Sequence, residues 1–124
     1  MHIIFGEAQA QELSEKFIVL ELDTFRVADT EQLVTAYCII EKINFDKMPM
    51  VEGWRTTHQD ILNSYRGQRW DECLASIESV YDSWGNDVDT FYDELKKRIN
   101  YFKENDPGPT WDPVIPRYDI ELPQ

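Results

Sequence analysis

The side chains best suited to chemistry in this sequence lie in the stretch LELDTFR, residues 20–26. Glu21 and Asp23 are two positions apart, and Arg26 follows them closely. Residues i and i+2 of a β-strand point to the same face, so both carboxylates are expected to project together beside a guanidinium group. Such a set suits a nucleotide or divalent-ion site. A solvated polar strand face accounts for the same three residues, and that interpretation is favoured.

The two histidines give no sign of a catalytic centre. His58 falls on an apolar helical stripe with Trp54 and Ile61, which is more typical of a core histidine than of a base or ligand. The sequence contains no Ser-His-acid pattern, no glycine-rich phosphate loop and no paired-cysteine metal motif. We therefore predict no catalytic residues, no metal ligands and no cofactor.

The acidic run NDVDTFYDE has some features of a calcium-binding loop. Asp87, Asp89 and Asp93 lie close together, but the glycine and the closing glutamate of such a loop are missing at the required spacing. Acidic groups in the first turn of a helix are stabilised by the helix dipole, which explains Asp87 and Asp89 without a metal.

The net charge of the chain limits its partners. The 124 residues include 24 acidic and 12 basic side chains, for a formal charge of −12. Such a field repels nucleic-acid phosphates and anionic lipids, so direct binding to nucleic acid or a membrane surface is disfavoured. Two interpretations of the acidity remain: a charged, soluble surface, which is favoured, or a mimic of nucleic acid that occupies a basic protein.

The cysteines and the hydrophobic segments favour a cytoplasmic protein. Cys38 and Cys73 each lie within an apolar pattern, and two cysteines do not make a disulfide framework. The first residues lack a basic region followed by a long apolar stretch, and no segment has the length of a membrane span.

The hydrophobic periodicity predicts an α+β fold. Helix-forming residues predict a short helix over 7–15. An antiparallel hairpin is predicted from the alternating apolar and polar residues between Ile18 and Asp23 and from the β-branched residues over 33–41. Three helical stripes follow, separated by Gly67 and Gly85. We expect the two-stranded hairpin to pack on an antiparallel bundle of about three helices, forming a single domain over residues 1–104.

The central stripe is unusually aromatic. Trp70, Tyr81 and Trp84 share its spacing with Ile77. Aromatic stripes at helical spacing are core far more often than cofactor sites, so we predict that this face is buried against the neighbouring helices.

Residues 105–124 predict an extended, proline-rich tail. Five prolines in twenty residues exclude helix and central strand, yet the segment is too apolar for a solvated spacer. The tail is expected to pack on its own domain or on another chain. Trp111, Ile115 and Tyr118 are the predicted partner-binding residues, because aromatic side chains dominate interface hot spots.

Two resemblances follow from these segments. Tyr65, Gly67 and Trp70 within ILNSYRGQRWDECLASIESV resemble one tetratricopeptide-type helix pair. The run FIVLELDTFRVADTEQLVTAYCII, that helix pair and GPTWDP are together similar to the C-terminal end of bacterial class III nucleotide cyclases. The cyclase catalytic core has no counterpart here, and ADTE replaces the usual lysine-glycine of the hairpin. The resemblance therefore implies a non-catalytic remnant. Compactness and acidity also resemble those of small bacteriophage proteins.

The leading functional hypothesis is a non-enzymatic protein-interaction module, a phage or bacterial adaptor that modulates a host protein in the cytoplasm. The alternatives are a nucleotide-binding or enzymatic remnant that uses Glu21, Asp23 and Arg26, and an acidic mimic of nucleic acid. A homodimer formed through the open edge of the hairpin is a further expectation.

Overall fold

A computed structural model of the chain describes residues 2–27 and 30–115. Within these ranges the protein is α+β, as predicted, with a three-stranded antiparallel sheet and four α-helices. The elements in chain order are β1 (His2–Phe5), α1 (Glu7–Leu13), β2 (Ile18–Arg26), β3 (Leu33–Ile40), a 3-10 helix (Phe45–Met50), α2 (Val51–Arg66), α3 (Trp70–Val80) and α4 (Asn86–Glu104).

The described residues group into two compact units. The first holds the described parts of Met1–Glu41 and Asp112–Gln124, and therefore the sheet with α1. The second is Lys42–Trp111, which contains the 3-10 helix and α2 to α4. The single domain over residues 1–104 stays a prediction. None of the helices within the described ranges has the length and apolar character that crossing a bilayer requires.

The sheet contains the predicted hairpin and one strand more. The strand order is β1-β3-β2, and both pairs are antiparallel. The additional strand, β1, has only four residues, which is too short for an alternating pattern to predict it. In the structure β1 covers the outer edge of β3, with Ile3 opposite Cys38. One of the two edges of the predicted hairpin, that of β3, is therefore occupied by the same chain.

The first unit has an apolar cluster between α1 and one face of the sheet. Ile4, Ala10 and Ile39 are buried there, with Leu13, Val19 and Tyr37 packed around them. The chain enters α1 through Gly6, whose φ of 103° lies in the region that favours glycine. Side chains on the other face of the hairpin are buried as well: Leu20, Leu22, Val34, Ala36 and Cys38.

In the second unit, α2, α3 and α4 are successive antiparallel neighbours. Trp54 near the start of α2 contacts Trp84 beyond the end of α3, and Tyr65 near the end of α2 contacts Trp70 at the start of α3. Trp70 in turn stacks on Phe102, close to the end of α4. The residues with the least exposed side chains in these helices are Ile61, Cys73, Ile77, Tyr92, Leu95 and Ile99.

His58 lies in this core. Its side chain is buried, and its Nδ1 is 2.7 Å from the hydroxyl oxygen of Tyr92 on α4. The ring also lies against Phe91, at a centroid distance of 6.3 Å. The interpretation of His58 as a core histidine is therefore confirmed.

The prediction that the helical stripe of α3 continues to Trp84 is wrong for the residues beyond Val80. Helix α3 ends there, and Asp82 adopts a φ of 69°, which interrupts helical geometry. Trp84 is buried, but it belongs to the turn between α3 and α4. Tyr81 is exposed, so its assignment to the core is also wrong.

Cys73 gives a first testable prediction. It is fully buried, its Sγ–H donates to the carbonyl of Ile61 at 3.3 Å, and burial raises the pKa of the thiol to about 11. Because the folded state favours the neutral thiol, its contribution to stability is complete below the ordinary pKa of about 8.5 and is lost as the pH rises through 11. In a Cys38→Ala variant at pH 8, Cys73 should resist a thiol reagent in native protein and react in denaturant. Rapid labelling of the native protein would contradict this.

Candidate functional site

The predicted ionic set on β2, Glu21, Asp23 and Arg26, lies on one strand. The register shifts between Glu21, which lies opposite Tyr37, and Thr24, which lies opposite Thr35. Leu20 and Leu22 are buried, and the less buried Glu21 and Asp23 alternate with them. The guanidinium of Arg26 donates to two other carboxylates, Glu31 at 2.9 Å and Asp112 at 3.5 Å. Within residues 2–27 and 30–115, no group of three or more His, Cys, Asp or Glu side chains is arranged to hold a metal ion.

The predicted tail residue Trp111 packs within its own chain. Its ring contacts Tyr65, Trp70 and Phe102, with centroid distances of 5.4, 5.6 and 5.1 Å. Gln68 holds the preceding turn, because its side-chain amide donates to the carbonyl of Gly108 at 2.8 Å. We refer to Tyr65, Trp70, Phe102 and Trp111 as the aromatic cluster.

Ile115 also lies on its own chain. Its N–H donates to the carbonyl of Thr24 at 2.8 Å, and its carbonyl accepts from the N–H of Arg26 at 2.9 Å. These two bonds form a parallel bridge beside Phe25 on β2. Tyr118, the third predicted partner-binding residue, lies outside the described residues.

The 3-10 helix presents the most exposed apolar surface among the described residues. The exposed fractions are 93% for Phe45, 49% for Met48 and 48% for Met50. The sequence FDKMPM contains Pro49 and has no clear periodicity, so it does not by itself predict an exposed apolar surface. The segment runs directly into α2 at the buried Val51, so its end is fixed to the helical core. We call Phe45–Met50 the Met-rich segment.

A groove lies beside the Met-rich segment within the second unit. Its volume is about 250 Å³. The groove is lined by Lys42, Ile43, Asn44, Lys47, Trp54, Asp82, Ser83, Trp84 and Gly85. Its walls therefore come from the 3-10 helix and the residues before it, the first turn of α2, and the turn between α3 and α4. We call it the Trp84 groove.

The turn that carries Trp84 is held by α4. The N–H of Asp82 donates to the carboxylate of Asp89 at 2.9 Å, which supports the left-handed backbone at Asp82. The hydroxyl of Tyr81 donates to the carboxylate of Asp93 at 3.0 Å, and this bond raises the pKa of Tyr81. Gly85, with a φ of 117°, precedes the first residue of α4. These contacts fix the backbone on both sides of Trp84.

Trp84 has a polar atom with no partner. The residue is 7% exposed, and its Nε1 is buried with no hydrogen-bond acceptor among the described residues. The ring lies edge-to-face against Trp54 at a centroid distance of 5.5 Å. More than nine-tenths of buried polar groups in proteins have a partner, so this indole N–H is an exception that calls for an explanation.

The charged groups at the Trp84 groove are mostly basic. Lys42 and Lys47 line it together with one acidic residue, Asp82. Elsewhere acidic side chains exceed basic ones, and the whole chain carries −12. The groove therefore combines two lysines, one aspartate and two tryptophans.

Comparison of the chain with protein families, curated proteins and solved structures returned no match. The arguments for function below therefore rest on the residues and contacts of this chain.

Proposed function

We propose that the protein is a non-enzymatic protein-interaction module, an adaptor whose partner binds the Met-rich segment. The observation that carries this proposal is the exposure of Phe45, Met48 and Met50 within six consecutive residues. Other large apolar side chains that are exposed, such as Phe17, Leu33 and Tyr101, lie far apart along the chain. Scattered apolar residues are normal on a surface, whereas a local concentration of them marks an interaction site.

The chemistry of the segment suits protein binding. A phenyl ring supplies a large apolar area, and the flexible, polarisable methionine side chains adapt to irregular partner surfaces. Because the 3-10 helix continues into α2, binding costs less ordering entropy than it would for a free loop.

The placement of the tail supports this choice of surface. Trp111 packs in the aromatic cluster, and Ile115 is hydrogen-bonded to β2, so both already have partners in the same chain. A contribution of Tyr118 to partner binding remains part of the proposal.

Replacing Phe45 and Met48 by serine should weaken partner binding at least tenfold, because anchoring hot-spot residues typically cost about 2 kcal/mol or more when truncated. Stability should change by no more than about 0.5 kcal/mol, since both residues are exposed. The matched control is a Leu33→Ser, Tyr101→Ser variant, which removes two comparably exposed apolar side chains elsewhere. A Tyr118→Ser variant tests the tail.

The measurement has two stages. A photo-reactive residue at position 45, compared with the same residue at position 101, identifies the partner that is cross-linked only at the Met-rich segment. Calorimetry with that purified partner then compares wild type with the three variants. Equal affinity of the wild type and the Phe45→Ser, Met48→Ser variant would contradict the proposal.

A further inference from the structure

We propose that Met48 and Met50 form a reversible oxidation site, at which a peroxide converts the two thioethers to sulfoxides and removes the apolar character of the Met-rich segment. The oxidation itself rests on the exposure and the sulfur chemistry of this chain. Its effect on partner binding rests on the proposed function and adds a means of regulating that same surface.

The accessibility of the two methionine side chains is the first argument. Met48 and Met50 are 49% and 48% exposed, and they lie two residues apart in one 3-10 helix. The chain has three methionines, and the remaining one, Met1, lies outside the described residues. Both methionines of the described ranges are therefore within reach of a small oxidant, and both belong to the surface proposed to bind the partner.

The cysteine sulfur atoms are protected by burial. Cys38 and Cys73 are free thiols, and each is 0% exposed. Thiols react with peroxides as thiolates, and burial in apolar surroundings disfavours the thiolate. At Cys73 burial raises the pKa of the thiol to about 11, so the neutral form predominates at neutral pH. Among the described residues, oxidation of sulfur in the folded protein is therefore directed to the Met-rich segment.

The chemistry needs only hydrogen peroxide as the oxidant. The methionine sulfur attacks one peroxide oxygen with an electron pair, so the S–O bond forms as the O–O bond breaks. The proton on the transferred oxygen goes to the departing hydroxide, which gives a sulfoxide and one water. Each sulfur loses two electrons, and the peroxide takes them up. A methionine sulfoxide reductase reverses the step with a dithiol, which becomes a disulfide as the sulfoxide oxygen leaves as water.

Oxidation changes this surface and leaves the fold intact. A sulfoxide is polar, and its oxygen is a hydrogen-bond acceptor in a place where the thioether was apolar. Burying that acceptor against an apolar partner without a donor costs free energy, so binding weakens. Both methionine side chains lie outside the buried core, so oxidation should shift the melting temperature by no more than about 3 °C.

Peptide mapping of the full chain after treatment with hydrogen peroxide tests the site. Trypsin cleavage gives the peptide 48–55, which carries both methionines, whereas Met1, Cys38 and Cys73 fall in other peptides. We expect one oxygen on each methionine of peptide 48–55, at a rate within about threefold of the rate in denaturant, and no oxidation of the cysteines until the protein unfolds. Protection of these methionines by more than about tenfold in the native protein, or oxidation of a cysteine first, would overturn the site.

Retention on a phenyl-substituted matrix measures the apolar character of the segment. The oxidised protein should elute earlier than the untreated protein, and reductases for both sulfoxide epimers, supplied with dithiothreitol, should restore the original retention. The matched control is a Met48→Leu, Met50→Leu variant, which keeps the apolar volume but has no sulfur at these positions. Unchanged retention of the oxidised wild type, an equal loss in the leucine variant, or no recovery with the reductases would overturn the inference.

Calorimetry with the partner identified by cross-linking separates this inference from the proposed function. Oxidation, followed by removal of the peroxide, should weaken partner binding to the wild type by about tenfold or more and leave binding to the leucine variant unchanged. If the Phe45→Ser, Met48→Ser variant loses binding but oxidation does not weaken the wild type, the regulation by oxidation alone is wrong. If oxidation is selective and reversible but that serine variant binds normally, the Met-rich segment is wrong as the binding surface and the oxidation site itself stands.

Discussion

Replacing Tyr92 by alanine should lower the free energy of unfolding by about 4 kcal/mol, as truncation of a large, fully buried aromatic side chain generally does. Tyr92 on α4 is 0% exposed and is the largest of the fully buried side chains among the described residues. Its removal leaves a cavity beside His58 and Phe91. Because a typical domain is stable by roughly 5–15 kcal/mol, the variant should be close to unfolding at physiological temperature.

A Tyr92→Phe variant separates the hydroxyl from the ring. The hydroxyl oxygen lies 2.7 Å from Nδ1 of His58, and both groups are buried. Removing one partner of a buried hydrogen bond costs about 1–3 kcal/mol, so the phenylalanine variant should fall between wild type and alanine.

Urea denaturation of wild type, Tyr92→Ala and Tyr92→Phe measures these differences, with the slope of each transition as a check on two-state unfolding. Tyr101→Ala is the matched control on the same helix, because Tyr101 is 61% exposed. It should change the free energy of unfolding by no more than about 0.5 kcal/mol. Similar losses for Tyr92→Ala and Tyr101→Ala would contradict the packing described here.

The helices show what the sequence predicts well. Val88, Tyr92, Leu95 and Ile99 recur at the helical period, and all four are buried in α4. Such repeats extend over several turns, so the pattern is strong enough to define both the element and its buried face.

Trp84 shows where this reasoning fails. Its position continues the stripe of α3, but the helix ends at Val80 because Asp82 adopts a left-handed conformation and donates its N–H to Asp89. This bond joins the turn after α3 to α4, so a pattern within α3 alone contains no sign of it. Strand β1 was missed for a related reason, since its four residues become a strand by pairing with β3.

The types of residue in the sequence also did not predict where the candidate binding surface lies. Aromatic residues in the tail indicated an interface, but residue type does not distinguish packing within the chain from binding to another chain. Trp111 packs internally, whereas Phe45 and Met48, which lie around a proline in a segment without clear periodicity, are exposed. Only the three-dimensional contacts separate these cases.

Replacing Trp70 by alanine should lower the free energy of unfolding by about 3 kcal/mol, the lower end of the range for a tryptophan, because the ring is half-buried. Its ring stacks on Phe102 at a centroid distance of 5.5 Å and meets Tyr65 at 5.8 Å and Trp111 at 5.6 Å. The residue thereby connects α2, α4 and the segment after α4. A ligand platform would instead tolerate the change with near-normal stability.

Combining Trp70→Ala with Trp111→Ala tests whether the tail packs on its own chain in solution. Aromatic pairs contribute about 0.5–1.5 kcal/mol beyond area burial, so the double variant should lose less than the sum of the single losses by about that amount. Denaturant melts of the four proteins in this cycle give the coupling energy. Strictly additive losses, or an unchanged midpoint and slope for Trp111→Ala, would place Trp111 outside the aromatic cluster. The tail would then be free to bind a partner, and the Met-rich segment would lose its advantage as the binding surface.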